Sequence, residues 1–216
     1  MMAGPLAERT ATHESKTKFL DAARQVMRTK GYDATTIDDV CAAAGLTKGS
    51  FFHHFKGKEE LAIAAAAHWA EITSRLFAAA PYHTLVDPRE RLLAYVDFRK
   101  AILHGALSDF TCLFGTMVQD TYATHPALRE ACQTGIGAHA ATLTSDITAA
   151  KARYAPTASW NPESLALYTQ AVIQGAFILA KATNGPDVAR DCFDHLHRYL
   201  ELLFSPPGPP ARTEKS

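Results

Sequence analysis

Residues 45–55 read GLTKGSFFHHF and predict a short polar helix that begins directly after a tight turn. A glycine supplies the turn, and Thr47 is a residue type that caps the first turn of a helix. Lys48 extends from that first turn, while Phe51 and Phe55, four residues apart, form an apolar back face. The pattern fits a helix that inserts its N-terminus into a DNA major groove, and it also fits a short connecting helix.

The segments on either side of this stretch favour the DNA-binding interpretation. Residues 15–30 place apolar side chains at helical spacing, and Gly31 follows where a C-terminal cap belongs. Residues 36–39, TIDD, have the form of a capping box and open a short helix that ends at Gly45. An amphipathic helix followed by two short helices that meet at a glycine turn is the arrangement of a helix-turn-helix.

Composition places the chain in the all-α class. Of its 216 residues, 47% are hydrophobic, and the alternating β-branched pattern of strands is almost absent. The 22 basic and 22 acidic side chains balance, and this neutral charge neither requires nor excludes a nucleic-acid partner. Lys48, Lys56 and Lys58 nevertheless lie in a segment, 44–58, that contains no acidic residue. Positive charge is therefore concentrated at the predicted DNA-binding helix.

Several classes of protein are not expected from these residues. The four cysteines lack C-x-x-C spacing and are typical of the reduced thiols of a cytoplasmic protein. We expect no membrane span, because no apolar run reaches ~18 residues, and no signal peptide, because the N-terminus lacks an apolar h-region. Cys192 and His195 could share a helical face, but two ligands do not make a metal site. Catalytic and phosphate-binding motifs are also missing, so the sequence predicts a protein that is not an enzyme and has no cofactor and no metal.

Residues 17–61 resemble the DNA-binding domain of the TetR (tetracycline-repressor) family of bacterial regulators. The matching series is AARxxM followed by KGYDATTIDDVCAAAGLTKGSFFHHFKGKEEL. The resemblance implies an all-α chain, here of about nine helices, whose C-terminal domain binds a small molecule and forms a dimer. We therefore expect a disordered arm at 1–12, a helix-turn-helix domain at 13–60, a ligand-binding and dimerisation domain at 61–204, and a disordered Pro-rich tail at 205–216.

The resemblance also assigns roles to individual residues of the expected DNA-binding domain. Hydroxyl groups and the backbone N–H groups of helix N-termini suit phosphate oxygens, and a lysine near base edges favours guanine. Phe52 departs from the family, in which most members have a tyrosine whose hydroxyl can reach a phosphate. A phenylalanine can pack there but cannot donate. The expected DNA-contacting residues are Thr36, Thr47, Lys48, Gly49, Ser50, Phe52, His53, His54 and Lys58.

The remaining helices are predicted at 88–104, 110–122, 125–154, 161–184 and 187–204. The last two carry apolar residues on more than one face, so we expect one face to pack against a second copy of the chain in a four-helix bundle. The alternative is that the chain's own helices cover both faces. The expected interface residues are Ala171, Gln174, Ile178, Phe193, Leu196 and Leu200.

The middle helices supply candidate residues for an effector site. An apolar and aromatic lining with a few polar groups indicates a small, partly hydrophobic molecule, although each position also fits ordinary core. Gly135, Gly137 and Ala138 give one helix little bulk, which predicts close helix contact or an adjoining cavity, or else is mere tolerance. The expected lining residues are His104, Phe110, Cys112, Phe114, Met117, Gln119, Tyr122, Ile136, His139, Leu143, Trp160, Tyr168 and Gln174.

Two functional alternatives follow from the same residues. The segment CLFGTM around Cys112 resembles one in family members that sense electrophiles through a thiol, which would make Cys112 the sensor. The second alternative is a different class of protein, a helical-bundle carrier or enzyme that does not bind DNA. In such a protein the exposed polar side of the short helix would have no function. The main prediction is a cytoplasmic regulator that binds a palindromic DNA operator as a homodimer and is released by a small-molecule effector. A repressor is expected, and an activator stays possible.

Overall fold

The computed structural model describes residues 5–205, with side chains from residue 12 onward. All regular secondary structure in this part of the chain is helical. The prediction of an all-α fold with an N-terminal helix-turn-helix is confirmed. A 3-10 helix spans Pro81–Thr84. The α-helices are α1 (Pro5–Lys30), α2 (Ile37–Ala44), α3 (Lys48–His54), α4 (Lys58–Ala78), α5 (Pro88–Ala101), α6 (Leu107–Phe110), α7 (Leu113–Thr121), α8 (Pro126–Ala141), α9 (Thr144–Tyr154), α10 (Pro162–Thr183) and α11 (Asp187–Leu203).

The observed helices differ most from the predicted ones in three places. The expected helix at 125–154 is two helices, because the backbone N–H groups of Thr142 and Leu143 bond three residues back and end α8. The expected break before Phe110 contains α6, whose N-terminus is capped by Asp109. Helix α1 begins at Pro5, so most of the arm predicted to be disordered is helical. Residues 1–4 and 206–216, which include nearly all of the predicted tail, lie outside the described residues.

The helices form two compact units. One contains the residues up to Phe77 together with Gly105–Gly137, and the other contains Ala78–His104 together with the residues from Ala138 onward. These units do not coincide with the division at residue 60 expected from the resemblance, because α6, α7 and most of α8 group with the N-terminal helices.

The core of the first unit is built around the aromatic back face of α3. Phe51 and Phe55 are buried, and both rings meet Phe19 of α1 edge to face at 5.6 and 6.2 Å. Such edge-to-face pairs are favourable beyond the apolar area that they bury. The backbone N–H of Tyr32 donates to Asp120 of α7 at 2.8 Å, which fixes the segment that follows α1. The aromatic contacts between α1 and α3 and the hydrogen bond to α7 therefore hold the N-terminal helices in place.

One of the small residues in α8 is required by close packing. A Cβ atom at Gly135 would collide with the buried ring of Phe114, so at this position the predicted close helix contact is present. Gly137 has open space beside it, and the contact explanation does not extend to that residue.

The second unit packs α5 and α10 against α9 and α11. Arg91 on α5 forms an ion pair with Asp146 on α9 at 2.7 Å, and Asp87 caps the N-terminus of α5. Among the described helices, α10 is the one long and apolar enough by length and composition to cross a membrane, which was not expected. Buried side chains along it, including Ile173 and Phe177, are also typical of a core helix.

Candidate nucleic-acid interface and effector site

The N-terminus of α2 is fixed by the predicted capping box. The Thr36 hydroxyl accepts from the backbone N–H of Asp39 at 3.1 Å, and the Asp39 carboxylate accepts from the backbone N–H of Thr36 at 2.8 Å. Lys30 lies 2.8 Å from the same carboxylate. Hydrogen bonds from Lys30 and Thr36 hold the pKa of Asp39 well below its usual range. This exposed start of α2 is therefore a well-ordered turn that carries a hydroxyl group.

The turn before α3 has the geometry predicted from its glycine. Gly45 adopts the left-handed conformation, with φ of 66°, and its N–H and that of Leu46 close the end of α2. The Thr47 hydroxyl then accepts from the backbone N–H of Ser50 at 3.2 Å and caps α3. Both caps leave little freedom in the direction of the short helix.

Helix α3 separates its side chains into a buried back and an exposed front. Phe51 and Phe55 form the back, and Ser50 lies at the border, half-buried. Residues 48 and 52, and likewise 49 and 53, are four apart and share the exposed side. We call this exposed surface the α3 face; it consists of Thr47, Lys48, Gly49, Phe52 and His53.

An ion pair within the helix-turn-helix was not anticipated from the sequence. The Lys48 ammonium lies 2.8 Å from the carboxylate of Asp38 on α2, and both side chains are largely exposed. Asp38 raises the pKa of Lys48, which therefore stays charged. Because both residues are at the surface, this pair contributes little to stability. Its consequence is instead that Lys48 has an anionic partner before any nucleic acid arrives.

Phe52 is not the packing residue that the sequence suggested. It is 57% exposed on the α3 face, and its ring meets that of Phe51 edge to face with the centroids 5.2 Å apart. The reason is register, since Phe51 and Phe55 already occupy the buried side of α3. An exposed aromatic ring at the front of this helix is available for apolar contact with a thymine methyl group.

Two residues expected at DNA point back into the protein. The His54 ring bonds to the Ser15 hydroxyl at 2.7 Å, and burial lowers its pKa, with a smaller contribution from His53. Lys58 donates to the backbone carbonyl of Tyr32 at 3.0 Å and lies over that residue's ring. His54 therefore attaches α3 to α1, Lys58 attaches α4 to the segment that follows α1, and neither side chain belongs to the α3 face. Thr36 is exposed, as predicted.

The predicted effector-site residues fall into different environments and different units. Phe110, Phe114, Met117 and Leu143 are buried, which fits either a lining or ordinary core. Cys112, Ile136, His139, Trp160 and Gln174 are half-buried. The remaining four are exposed in the single chain and are not enclosed by it; these are His104, Gln119, Tyr122 and Tyr168.

His139 takes part in a cluster of hydrogen-bonded polar side chains in the second unit. Its Nε2 atom accepts from the Tyr95 hydroxyl at 3.0 Å and from Arg99 at 2.5 Å. The Tyr95 oxygen also receives hydrogen bonds from Arg99 and from Gln170. Burial, together with the charge of Arg99, lowers the pKa of His139 to about 3. The imidazole is therefore neutral at physiological pH, a state the sequence could not indicate.

The predicted dimer residues separate into two groups. Phe193, Leu196 and Leu200 are at most 2% exposed, so the prediction that they face a second subunit is wrong; they pack inward, with the Phe193 ring against Phe177 at 6.1 Å. Ala171 and Ile178 are exposed, and Gln174 is half-buried. Five further apolar side chains that were not among the predicted interface residues are also exposed on these two helices. With Ala171 and Ile178 they form what we call the α10–α11 apolar surface, which comprises Leu167, Tyr168, Ala171, Ile178, Leu179, Tyr199 and Leu202.

Comparison with known proteins agrees with this architecture. The family model described as bacterial regulatory proteins, tetR family, matches residues 19–65, and the model described as tetracyclin repressor-like, C-terminal domain, matches residues 88–196. The HTH-type transcriptional regulator LmrA of Bacillus subtilis is 28% identical over 131 residues, which are 55% of this chain and 63% of LmrA. The HTH-type transcriptional repressor Rv1474c of Mycobacterium tuberculosis is 35% identical over 80 residues, 37% of this chain and 41% of the relative.

A solved structure extends the likeness to most of the chain. The TetR transcriptional regulator of Chloroflexus aurantiacus is 26% identical, has a TM-score of 0.76 and covers 88% of this chain and 96% of its own. The two family models between them match the helix-turn-helix and most of the helices that follow it. The chain belongs to the TetR family of bacterial transcriptional regulators, whose members are mostly repressors and are not enzymes.

Proposed function

We propose that this protein is a cytoplasmic repressor that binds a palindromic operator as a homodimer and releases it when a small, partly hydrophobic effector binds. The observation that carries the proposal is the α3 face, which presents Thr47, Lys48 and a bare glycine backbone at a capped, exposed helix N-terminus. Hydroxyl groups and N–H groups of this kind suit phosphate oxygens, and lysine suits the O6 and N7 atoms of guanine. Thr36, exposed at the start of α2, would supply a further hydroxyl once its hydrogen bond to Asp39, 2.7 Å long, is exchanged for one to a phosphate.

The α10–α11 apolar surface supports the homodimer. On α10, Leu167, Ala171 and Ile178 follow helical spacing and are exposed, and the Tyr168 and Tyr199 rings, 5.2 Å apart, continue the surface onto α11. A two-fold pairing of this surface would bury it against its own copy. Two α3 faces related by that axis would then read the two halves of a palindrome.

Replacing Lys48 with alanine tests the proposed contact. We expect Lys48→Ala to weaken operator binding about 10- to 100-fold at fixed salt, because a lysine contact to a guanine edge is lost. Gel shift with the DNA upstream of the protein's own gene measures the change. Asp38→Ala is the matched control, since it breaks the same ion pair and leaves the lysine in place. Equal losses in the two variants would show that the pair is structural and that Lys48 does not bind DNA.

Replacing Phe52 with tyrosine should strengthen binding. The ring is exposed on the α3 face, and a hydroxyl at its end can donate to a phosphate. Because a hydrogen bond to a charged acceptor contributes about 1.5 kcal/mol, we expect operator affinity to rise about tenfold. Fluorescence anisotropy with labelled operator checks this value, and Phe52→Leu serves as a control that keeps an apolar side chain without the hydroxyl. An unchanged or weaker affinity of Phe52→Tyr would place the ring away from the DNA backbone.

A further inference from the structure

Arg28 is an arginine buried in the first unit with unused hydrogen-bond donors. It lies near the C-terminal end of α1 and is only 3% exposed, and its guanidinium carbon stacks over the Trp69 ring of α4 at 4.4 Å. Among the described residues, its Nε and Nη2 atoms have no acceptor within hydrogen-bond distance. Burying a charged group without such partners is costly, so a protein retains one only where something else compensates.

The charges around Arg28 do not neutralise it. Arg24, one turn earlier, lies 5.8 Å from the same indole ring, and its Nε atom also lacks an acceptor. Burial and the charge of Arg24 lower the pKa of Arg28 to about 10, and Cys112 and Asp109 act in the opposite direction. The carboxylate of Asp109 accepts from the backbone N–H of Ala106 at 2.8 Å, and the unused donors of Arg28 do not hydrogen-bond to it. Arg28 therefore remains protonated at neutral pH and carries its charge in the interior of the first unit.

The geometry of the unused donors specifies the missing partner. The Nε–H and one N–H of Nη2 project in parallel from the same edge of a guanidinium group, at a spacing that matches the two oxygens of a carboxylate. The neighbourhood of Arg28 is apolar, because the guanidinium stacks on Trp69, and Trp69 and Cys112 pack against the core that contains Phe114 and Met117. We propose that Arg28 binds the carboxylate of the effector, and that the effector is a small monocarboxylate with an apolar body. This inference rests on the proposed function, whose effector it names.

The position of Arg28 also links this site to the DNA-binding helices. Lys30, two residues further along α1, is paired with Asp39 in the capping box of α2. Phe19 of the same helix packs on the aromatic back of α3. A carboxylate held by Arg28 against Trp69 therefore contacts α1 and α4 directly, and a shift of α1 is transmitted to α2 and α3 through these contacts.

Fluorescence of Trp69 tests the proposal. The chain has two tryptophans, so Trp160→Phe leaves Trp69 as the single emitter. The probes are benzoate and octanoate, each compared with its primary amide, and inorganic phosphate. We expect saturable changes with a carboxylate and none with the matching amide or with phosphate. Arg28→Met should weaken carboxylate binding at least about tenfold and Arg28→Lys should weaken it less, whereas Arg75→Met, at an exposed arginine of α4, should change nothing.

The unliganded proteins provide a second measurement. Because Arg28→Met removes an unpaired buried charge and keeps an apolar stem, its melting temperature should equal or exceed that of the wild type. A clear decrease would mean that Arg28 is structural and would overturn the proposal. Absence of saturation by both carboxylates would do the same, and saturation by phosphate alone would assign the site to another anion. Operator binding, measured separately on the same proteins, reports on the proposed function and is not needed for any of these outcomes.

Discussion

The Ile178→Arg variant is expected to be monomeric and to lose operator binding by at least about a hundredfold while keeping its fold. Ile178 is 47% exposed and belongs to the α10–α11 apolar surface. In a two-fold interface each substitution occurs twice, so two guanidinium groups would be brought together in an apolar contact. Without the dimer, one α3 face contacts a single half-site, and the gain from simultaneous binding of both half-sites disappears.

Sedimentation at micromolar concentration and gel shift measure the two expected effects. Ile63→Arg is the matched control, because Ile63 is also an exposed isoleucine, 37% accessible, on α4 in the other unit. That variant should remain dimeric. A dimeric Ile178→Arg protein, or a monomeric wild type, would contradict the assignment of this surface to the dimer. Circular dichroism and melting temperature establish that the fold is intact in both variants.

Acid should destabilise the second unit through His139. The pKa of this imidazole is about 3 in the folded chain and ~6.5 in an unfolded one. The stabilisation that depends on its neutral form is therefore complete above pH ~6.5 and is lost progressively as the pH falls toward 3. Between pH ~6.5 and ~4 we expect the free energy of unfolding to fall by about 2–3 kcal/mol from this residue, allowing for its partial exposure.

Urea unfolding across this pH range checks the expectation. Asp39 has a lowered pKa and stays ionised in this window, so its hydrogen bonds in the capping box of α2 are retained above pH ~4. His139→Gln should flatten most of the slope, since glutamine accepts hydrogen bonds without titrating. His54→Gln is the comparison variant. The pKa of His54 is also lowered, so protonation of His54 changes the free energy of unfolding in the same direction as protonation of His139. An equal slope in the wild type and in His139→Gln would mean that the cluster tolerates a charged imidazole.

Features set by local chemistry could be predicted from the sequence. The capping box at Thr36, the left-handed turn at Gly45 and the cap at Thr47 each involve residues within four positions of one another. Their residue types leave few conformations available, so the start and direction of α3 followed from the chain itself. The exposed front of α3 was predicted for the same reason, since residues four apart share one side of a helix.

Features set by distant parts of the chain could not be predicted. Helix α11 has apolar residues on adjoining faces, and only the position of α10 decides that Phe193, Leu196 and Leu200 face inward. Arg28 is another example, because its guanidinium group stacks on Trp69, which lies more than forty positions away in the chain. Periodicity identifies an apolar face, but it does not tell which neighbour covers that face.

The ion pair between Lys48 and Asp38 has a consequence for how the protein searches a chromosome. If Lys48 contacts DNA as proposed, it first leaves the Asp38 carboxylate, 2.8 Å away, so its net attraction to a single phosphate on random sequence is reduced. A guanine in the right register offers two acceptors at once and makes the exchange favourable. Under the proposed function, the Asp38 carboxylate would shorten residence at wrong sites more than at the right one, and it would thereby increase discrimination between DNA sequences.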